Sequence, residues 1–215
     1  MDDKGLILEG VSVDLAGRRL LAVDARVAPG EVLTVMGPSG SGKSSLIAHI
    51  GGFLDPAFTA TGRVFAGGLE LTALAAEDRH AGILFQDPLL FPHMSVGGNL
   101  LFAIPQAVGG RAERRAMAEA MLADVDLAGF LDRDPDTLSG GQKARVALAR
   151  VLLSAPRMLM LDEPFSRLDA ALRGQVRDLV FARARRRGLP VLLVTHDEAD
   201  AEAAGGRVVV IGDAP

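Results

Sequence analysis

A lysine and a hydroxyl set directly behind a glycine-rich turn can grip a phosphate chain, and this chain has one such place. Gly37, Pro38, Ser39, Gly40, Ser41, Gly42, Lys43, Ser44 and Ser45 follow one another, and the spacing Gly37-x-x-x-x-Gly42-Lys43-Ser44 is the phosphate-loop pattern. Gly37, Gly40 and Gly42 can take backbone angles closed to other residues, so successive N–H groups can converge on one anion. Lys43 is expected to reach the β- and γ-phosphates, and the Ser44 hydroxyl to hold Mg²⁺. The alternative is a plain Gly/Ser turn that happens to contain Lys-Ser. Against it stands the apolar run Val32–Met36 in front and the helical Leu46–Ile50 behind, which supply the strand–loop–helix context and add the positive end of a helix dipole. The loop is predicted to bind a nucleoside triphosphate.

Two further clusters fit the same chemistry. The apolar stretch Met158–Leu161 ends in Asp162 and Glu163. An acid at the carboxyl end of a strand is the usual partner of a phosphate loop, so Asp162 is expected at Mg²⁺ and Glu163 at the attacking water. Two acids after a strand also occur as a solvated turn, a weaker reading with a phosphate loop upstream. Leu138, Ser139, Gly140, Gly141 and Gln142 head a helix that carries Ala144, Ala147, Leu148, Val151 and Leu152 on one face. Ser139 and Gln142 fit a capping box. Each glycine costs a helix about 1 kcal/mol relative to alanine. Adjacent glycines at the helix start therefore suggest a backbone that a second anion must approach.

The elements needed to position these groups are legible in outline. Leu6–Leu8, Val11–Val13 and Leu20–Val27 read as an antiparallel arrangement with a turn near Ala16-Gly17, and Gly62–Phe65 and Leu69–Leu71 as another short pair. Val32–Met36 is a run of apolar or β-prone residues and Ile83–Phe85 a compact apolar strand, while Met158–Leu161, Val191–Thr195 and Val208–Ile211 read as continuously apolar, as expected for parallel strands covered on both faces. Residues 88–154 turn mostly helical. The helix read from about Leu168 to Arg187 gathers Arg183, Arg185, Arg186 and Arg187 at its end, where cations offset the helix dipole.

Composition narrows the function classes. The chain has 215 residues, 49% of them apolar, enough for one large domain or a core with an insertion. A formal charge of −4 and pI near 5.6 give no footprint for nucleic acid. With no cysteine there is no disulfide, thiolate metal site or thiol nucleophile. No apolar run approaches the ~18 residues of a membrane span. The acidic start Met1–Gly5 is unlike a signal peptide. The expectation is a cytosolic protein that reaches a membrane only through a partner.

With the three clusters in this order, the chain resembles the ATP-binding subunits of ABC transporters from about residue 4 to residue 212. The likeness adds Gln86, the loop Ser166-Arg-Leu-Asp169 and His196 in Val194-Thr-His-Asp197. It implies a P-loop NTPase core of the α/β class with a mainly parallel sheet, an N-terminal antiparallel β region and an inserted helical subdomain. The core would cover about 1–87 and 155–215, and the helical subdomain about 88–154. It implies ATP and Mg²⁺, and a head-to-tail homodimer in which Leu138–Gln142 of one chain closes over the nucleotide of the other. Gln86 would sense Mg²⁺ and the attacking water, His196 would hold the γ-phosphate, and Asp169 would support the dimer interface.

Within that family, the stretch Phe85 to Val96 followed by Asn99 is similar to ATPases of polyamine, sulfate, iron, thiamine and maltose-type importers. The similarity implies a permease partner met by Phe91, Pro92 and Met94, a substrate-binding protein, and peripheral attachment to the cytoplasmic face of the membrane. An exporter or lipoprotein-release ATPase shares the catalytic motifs and differs mainly in that stretch. A non-transport ABC ATPase would usually carry a coiled-coil insertion or a second ATPase half.

Three departures from the family pattern stand out. No aromatic residue lies near Leu15, where family members stack adenine. Losing such a stack forfeits about 0.5–1.5 kcal/mol, against about 1.5–3 kcal/mol for each charge-assisted hydrogen bond to phosphate, so binding should survive with looser base selectivity. Arg167 stands where the family often has a small residue. The end at Pro215 leads to the expectation of no C-terminal regulatory domain.

Overall fold

The computed structural model describes residues 5–212; the acidic start and the chain end discussed above lie outside the described residues. The chain packs as two compact units. One runs through Ile83 and takes in Arg157–Glu163 and the chain from Phe181 onward; the other comprises Leu84–Pro156 and Pro164–Val180.

In the first unit, β1 (Leu6–Leu15) and β2 (Arg18–Val27) form an antiparallel hairpin. Its turn is made by Ala16 and Gly17, both at positive φ. The two short runs read at Leu6–Leu8 and Val11–Val13 are one strand with a bulge between Leu8 and Val11, where Gly10 takes φ +57° and its N–H donates to Asp24 Oδ2 at 3.0 Å. A bulge inserts an unpaired residue and bends the strand, which is why alternation breaks at that point.

The phosphate loop leaves β3 (Val32–Met36) and opens α1 (Lys43–Gly51). Next come β4 (Phe58–Ala66) and β5 (Leu69–Glu70), which complete a four-stranded sheet in the order β2-β1-β4-β5. The five-stranded sheet follows the order β6 (Ala81–Leu84), β7 (Met158–Asp162), β8 (Val191–Thr195), β3, β9 (Arg207–Val210). The pairs β7/β8, β8/β3 and β3/β9 are parallel. All five residues of β8 are buried, as a strand covered on both faces requires. Leu33, Val35, Ile47, Ile50, Met160 and Val194 share one core with Leu6, Leu8 and Val13 of the hairpin. Each such side chain contributes roughly 1.5–3 kcal/mol on burial.

Register decides where the functional residues emerge. Met36 lies opposite Thr195, and Asp162 opposite Val194. The residues that follow these strands, Gly37, Glu163 and His196, therefore leave the sheet at one carboxyl edge, the place where open α/β sheets bind their ligands.

The second unit is helical: α2 (Val96–Ala103), α3 (Arg111–Asp124) and α4 (Gly140–Leu153), with the opening turns of α5 (Ala170–Arg186). Val146, Leu148, Ala149 and Leu152 bury one face of α4. The start of α2 hydrogen-bonds to the backbone of Leu131 and Arg133, and a Cβ on Gly97 would lie 2.8 Å from the Leu131 carbonyl oxygen. The short α6 (Glu198–Ala204), capped by the Asp197 carboxylate, belongs to the first unit. Among the described residues no helix is long and apolar enough to cross a membrane.

Candidate functional site

Backbone angles shape the phosphate loop. Gly40 and Gly42 take φ +82° and +89°. Gly42 is also the N-cap of α1, without any side-chain cap, so the first N–H groups of the helix stay available to a ligand. A Cβ on Gly37 would sit 2.6 Å from the Ile211 carbonyl oxygen, which forbids any larger residue where the loop leaves β3. Ser41 closes the turn, its Oγ donating to Pro38 O at 2.8 Å.

Lys43 is buried, and its Nζ donates to Gly37 O and Pro38 O, each at 2.8 Å. An ammonium has three donors, so one remains for an anion in the loop. The far end of α1 is fixed as firmly. Gly52 terminates it in the left-handed conformation, and the Arg79 guanidinium donates to His49 O and Ile50 O at 2.7 and 2.9 Å.

Around the loop the acids take distinct places. Ser44 Oγ donates to Asp162 Oδ1 at 2.9 Å. Burial, with the nearby Glu163 charge adding to it, raises the Asp162 pKa above the ordinary carboxylate value, while the Ser44 bond and Lys43 pull the other way. Glu163 Oε1 lies 3.8 Å from Lys43 Nζ and 3.0 Å from His196 Nδ1. The Glu163 backbone has φ +45°, a conformation that costs a non-glycine residue about 1–3 kcal/mol, and its N–H is anchored on Val194 O at 3.0 Å. In that conformation the Glu163 carboxylate lies beside Lys43 and His196.

The Ser44–Asp162 pair suits Mg²⁺, which takes one or two protein oxygens and leaves its other positions to phosphate and water. Among the described residues no group of three or more His, Cys, Asp or Glu could hold a metal by itself. A metal at this pair would therefore share its coordination with substrate oxygens.

The remaining predicted residues belong to the second unit, and each is described there. Ser139 and Gln142 close a complete capping box at the start of α4: Gln142 N–H donates to Ser139 Oγ at 3.3 Å, and Ser139 N–H to Gln142 Oε1 at 3.0 Å. Ser139 and Gly140 are exposed, whereas Leu138 and Gly141 are buried. Gln86 is exposed. Arg167 pairs with Asp87, the residue after Gln86, which gives that unexplained arginine a partner. Asp169 Oδ1 accepts the Leu172 N–H at 3.0 Å and so caps the first turn of α5.

Of the expected permease-facing residues, Pro92 is exposed, and Phe91 and Met94 are half-buried. The most exposed large apolar side chains of this unit are Leu89 (56%) and Phe102 (68%), and Phe102 meets the Phe91 ring edge-on at 5.2 Å. Two residues that sequence reasoning left without a role hold this loop. Fully buried Asn99 accepts the Phe91 N–H at 2.8 Å and donates to Phe91 O and Ser95 O. Arg150 donates to Leu89 O at 2.7 Å and Pro88 O at 3.1 Å. A polar residue inside an apolar helix face was the available signal for Asn99; Arg79 and Arg150 gave none. In the first unit, Leu15 is exposed at the end of β1, and its cross-strand neighbour Phe58 packs against the core.

Comparison with known proteins bears directly on this geometry. Residues 20–166 match the family model described as ABC transporter. The uncharacterized ABC transporter ATP-binding protein YnjD of Escherichia coli K12 is 47% identical over 92% of this chain and 91% of its own length. The taurine import ATP-binding protein TauB of Pseudomonas putida is 41% identical over 98% of this chain and 79% of its own. The iron(III) import ATP-binding protein FbpC 1 of Haemophilus influenzae is 39% identical, and this chain spans 57% of its length. Among solved structures, the dimeric cassette MJ0796 superposes with a TM-score of 0.79 at 29% identity, covering 97% of this chain and 95% of that one. The same cassette in a post-hydrolysis state with ADP and Pi gives 0.78 at 28% identity.

Proposed function

This chain belongs to the ABC transporter family of ATP-binding proteins, and from that premise we propose that it powers uptake of a small solute through a separate membrane permease. The chain is an ATPase of this family. The observation that carries the reading is the meeting of Lys43, Ser44, Asp162, Glu163 and His196 at one edge of the parallel sheet. Import is favoured over export by the names of the taurine- and iron-import relatives and by the resemblance of Phe85–Val96 to importer sequences described above.

In this proposal the loop residues Gly37–Ser45 wrap the triphosphate, and Lys43 neutralises charge at the β- and γ-phosphates. Ser44, Asp162 and Gln86 would hold Mg²⁺, which when bound would offset the phosphate charge. Glu163 orients the attacking water and takes its proton. The water oxygen bonds to the γ-phosphorus as the bond to the ADP oxygen breaks. His196 positions the γ-phosphate and, through its contact with Glu163 Oε1, the base itself. Leu138–Gln142 serves the partner's nucleotide in a homodimer, with Asp169 supporting the interface. Gln86 couples the site to a loop whose apolar face, Phe91, Pro92 and Met94 together with Leu89 and Phe102, receives the permease on the cytoplasmic side. A substrate-binding protein delivers the solute.

The test is co-purification of the full chain with its membrane partner, followed by ATPase assay of the complex with and without substrate. Stimulated hydrolysis and ATP-dependent uptake are expected. Stable association with an exporter, or no membrane partner at all, would contradict the reading.

A further inference from the structure

The first unit also holds a cavity of about 460 Å³ where β3 and β9 begin, the edge opposite the phosphate loop. Four steps along β3 separate the two edges by about 13 Å. Three arginines from three different elements line this cavity: Arg26 near the end of β2, Arg185 in the last turn of α5 and Arg207 at the start of β9. One carboxylate, Glu31, faces them, and its Oε2 accepts the Ala28 N–H at 3.0 Å. Arg185 donates to Ala204 O, the last carbonyl of α6, at 2.9 Å. Among the described residues the Arg26 and Arg207 side chains have neither an acid nor a hydrogen-bond acceptor.

The backbone around the cavity is already built. Gly206 takes φ +82° and packs so tightly that a Cβ would lie 2.3 Å from Val32 O. Gly30 N–H donates to Leu189 O at 3.2 Å and Val191 N–H to Glu31 O at 2.9 Å, which fixes the β3 entrance against the chain entering β8. A volume of this size lies within the range of small-molecule pockets. Guanidinium forks match phosphate oxygens, and a tetrahedral phosphate can accept from forks arriving from separate directions, whereas a planar carboxylate presents its oxygens in one plane.

We propose that this cavity binds a small, multiply charged phosphate compound, at a site separate from the nucleotide site and independent of the ABC assignment. Bound there, the anion would tie β2, α5 and the α6–β9 turn together and so stabilise the first unit.

The test uses the full chain carrying Lys43→Ala, titrated calorimetrically with pyrophosphate at fixed ionic strength. Saturable binding is expected to persist in that background and to weaken about tenfold or more when Arg26→Ala and Arg207→Ala are added. Glu31→Gln should change affinity in the opposite direction, which keeps the test decisive if the double arginine variant folds poorly. Loss of all binding with Lys43→Ala alone, or binding indifferent to both the arginine changes and Glu31→Gln, would overturn the proposal. The same phosphate chemistry could come from a lipid headgroup, so the chain is also sedimented with phosphatidylglycerol and phosphatidylcholine vesicles. No arginine-dependent vesicle binding is expected. Arginine-dependent binding to phosphatidylglycerol that pyrophosphate does not displace would overturn the assignment to a free anion.

Discussion

The start of α1 and the start of α4 are both glycine-rich helix N-termini, yet the chain finishes them in opposite ways. At α1 the N-cap is Gly42, with no side-chain cap, and a buried lysine stands beside the open N–H groups. At α4 a capping box ties the N–H groups of Ser139 and Gln142 to side-chain oxygens, and Lys143 reaches toward Asp136 at 3.8 Å. The first is, in our proposal, an anion site built within one chain. The second occupies the Ser139 and Gln142 N–H groups with its own side chains, so a phosphate that took Ser139 Oγ or either of those donors would compete with the capping box. In the proposed homodimer, a site of that kind would serve a partner's nucleotide that its own loop already holds.

The contrast can be broken at the lysine itself. Lys43→Ala removes at least one charge-assisted bond to phosphate and the ion pair's main cation, and should weaken ATP binding roughly 100-fold. Equilibrium binding of a fluorescent ATP analogue measures this, and near-normal affinity would remove Lys43 from the site. Glu163→Gln keeps the shape of the side chain but not its basicity. Hydrolysis should fall roughly 10²–10⁴-fold with ATP affinity retained, as single-turnover assays would show.

At the second helix start, Ser139→Ala should act twice. It should lower stability by about 0.5–2 kcal/mol through loss of the cap, and reduce steady-state hydrolysis with little effect on ATP affinity of the isolated chain. Equal loss of affinity and turnover would erase the proposed difference between the two helix starts.

Asp162 sharpens the comparison through pH. Its raised pKa means that the folded state holds a proton more tightly than the unfolded chain does. Its contribution to stability therefore declines as pH rises from the ordinary carboxylate range through the folded pKa. Asp162→Asn should leave the nucleotide-free melting temperature at neutral pH unchanged or higher while abolishing Mg²⁺-dependent hydrolysis. A clear drop in nucleotide-free stability would contradict that origin of the shift.

The smallest effect concerns His49 in α1, whose pKa is lowered by burial and then by Arg79. A lowered histidine pKa means the unfolded chain binds the proton more readily. Stability should fall as pH drops below about 6.5 toward the folded pKa. His49→Gln should flatten that limb of a melting-temperature profile, and an unchanged slope would assign the acid sensitivity elsewhere.

What could be read from the sequence follows the range of the forces involved. The phosphate loop is legible because its glycines, lysine and serine act within nine consecutive positions. The capping box is legible for the same reason. The parallel strands announce themselves through apolar runs, but the cover on both faces expected of Val208–Ile211 fails: β9 is an edge strand, and its Val208 and Val210 are exposed. The hairpin bulge at Gly10, and the four residues by which β4 begins before Gly62, depend on pairing with a distant strand. Arg79, Arg150 and the Arg167–Asp87 pair were opaque because their partners lie 29–30, 61–62 and 80 positions away. The short helix α6 offered too few residues for a period to show, although Asp197 before Glu198 was a usable cap signal.

The central claim is that the open helix start and the capped one act on the same nucleotide only when two copies meet. Sedimentation velocity of Glu163→Gln with saturating Mg-ATP, beside the same variant carrying Ser139→Glu, tests it most directly. A shift from monomer to dimer that the glutamate abolishes is the predicted result. A strict monomer in both, or a dimer indifferent to Ser139, would contradict it.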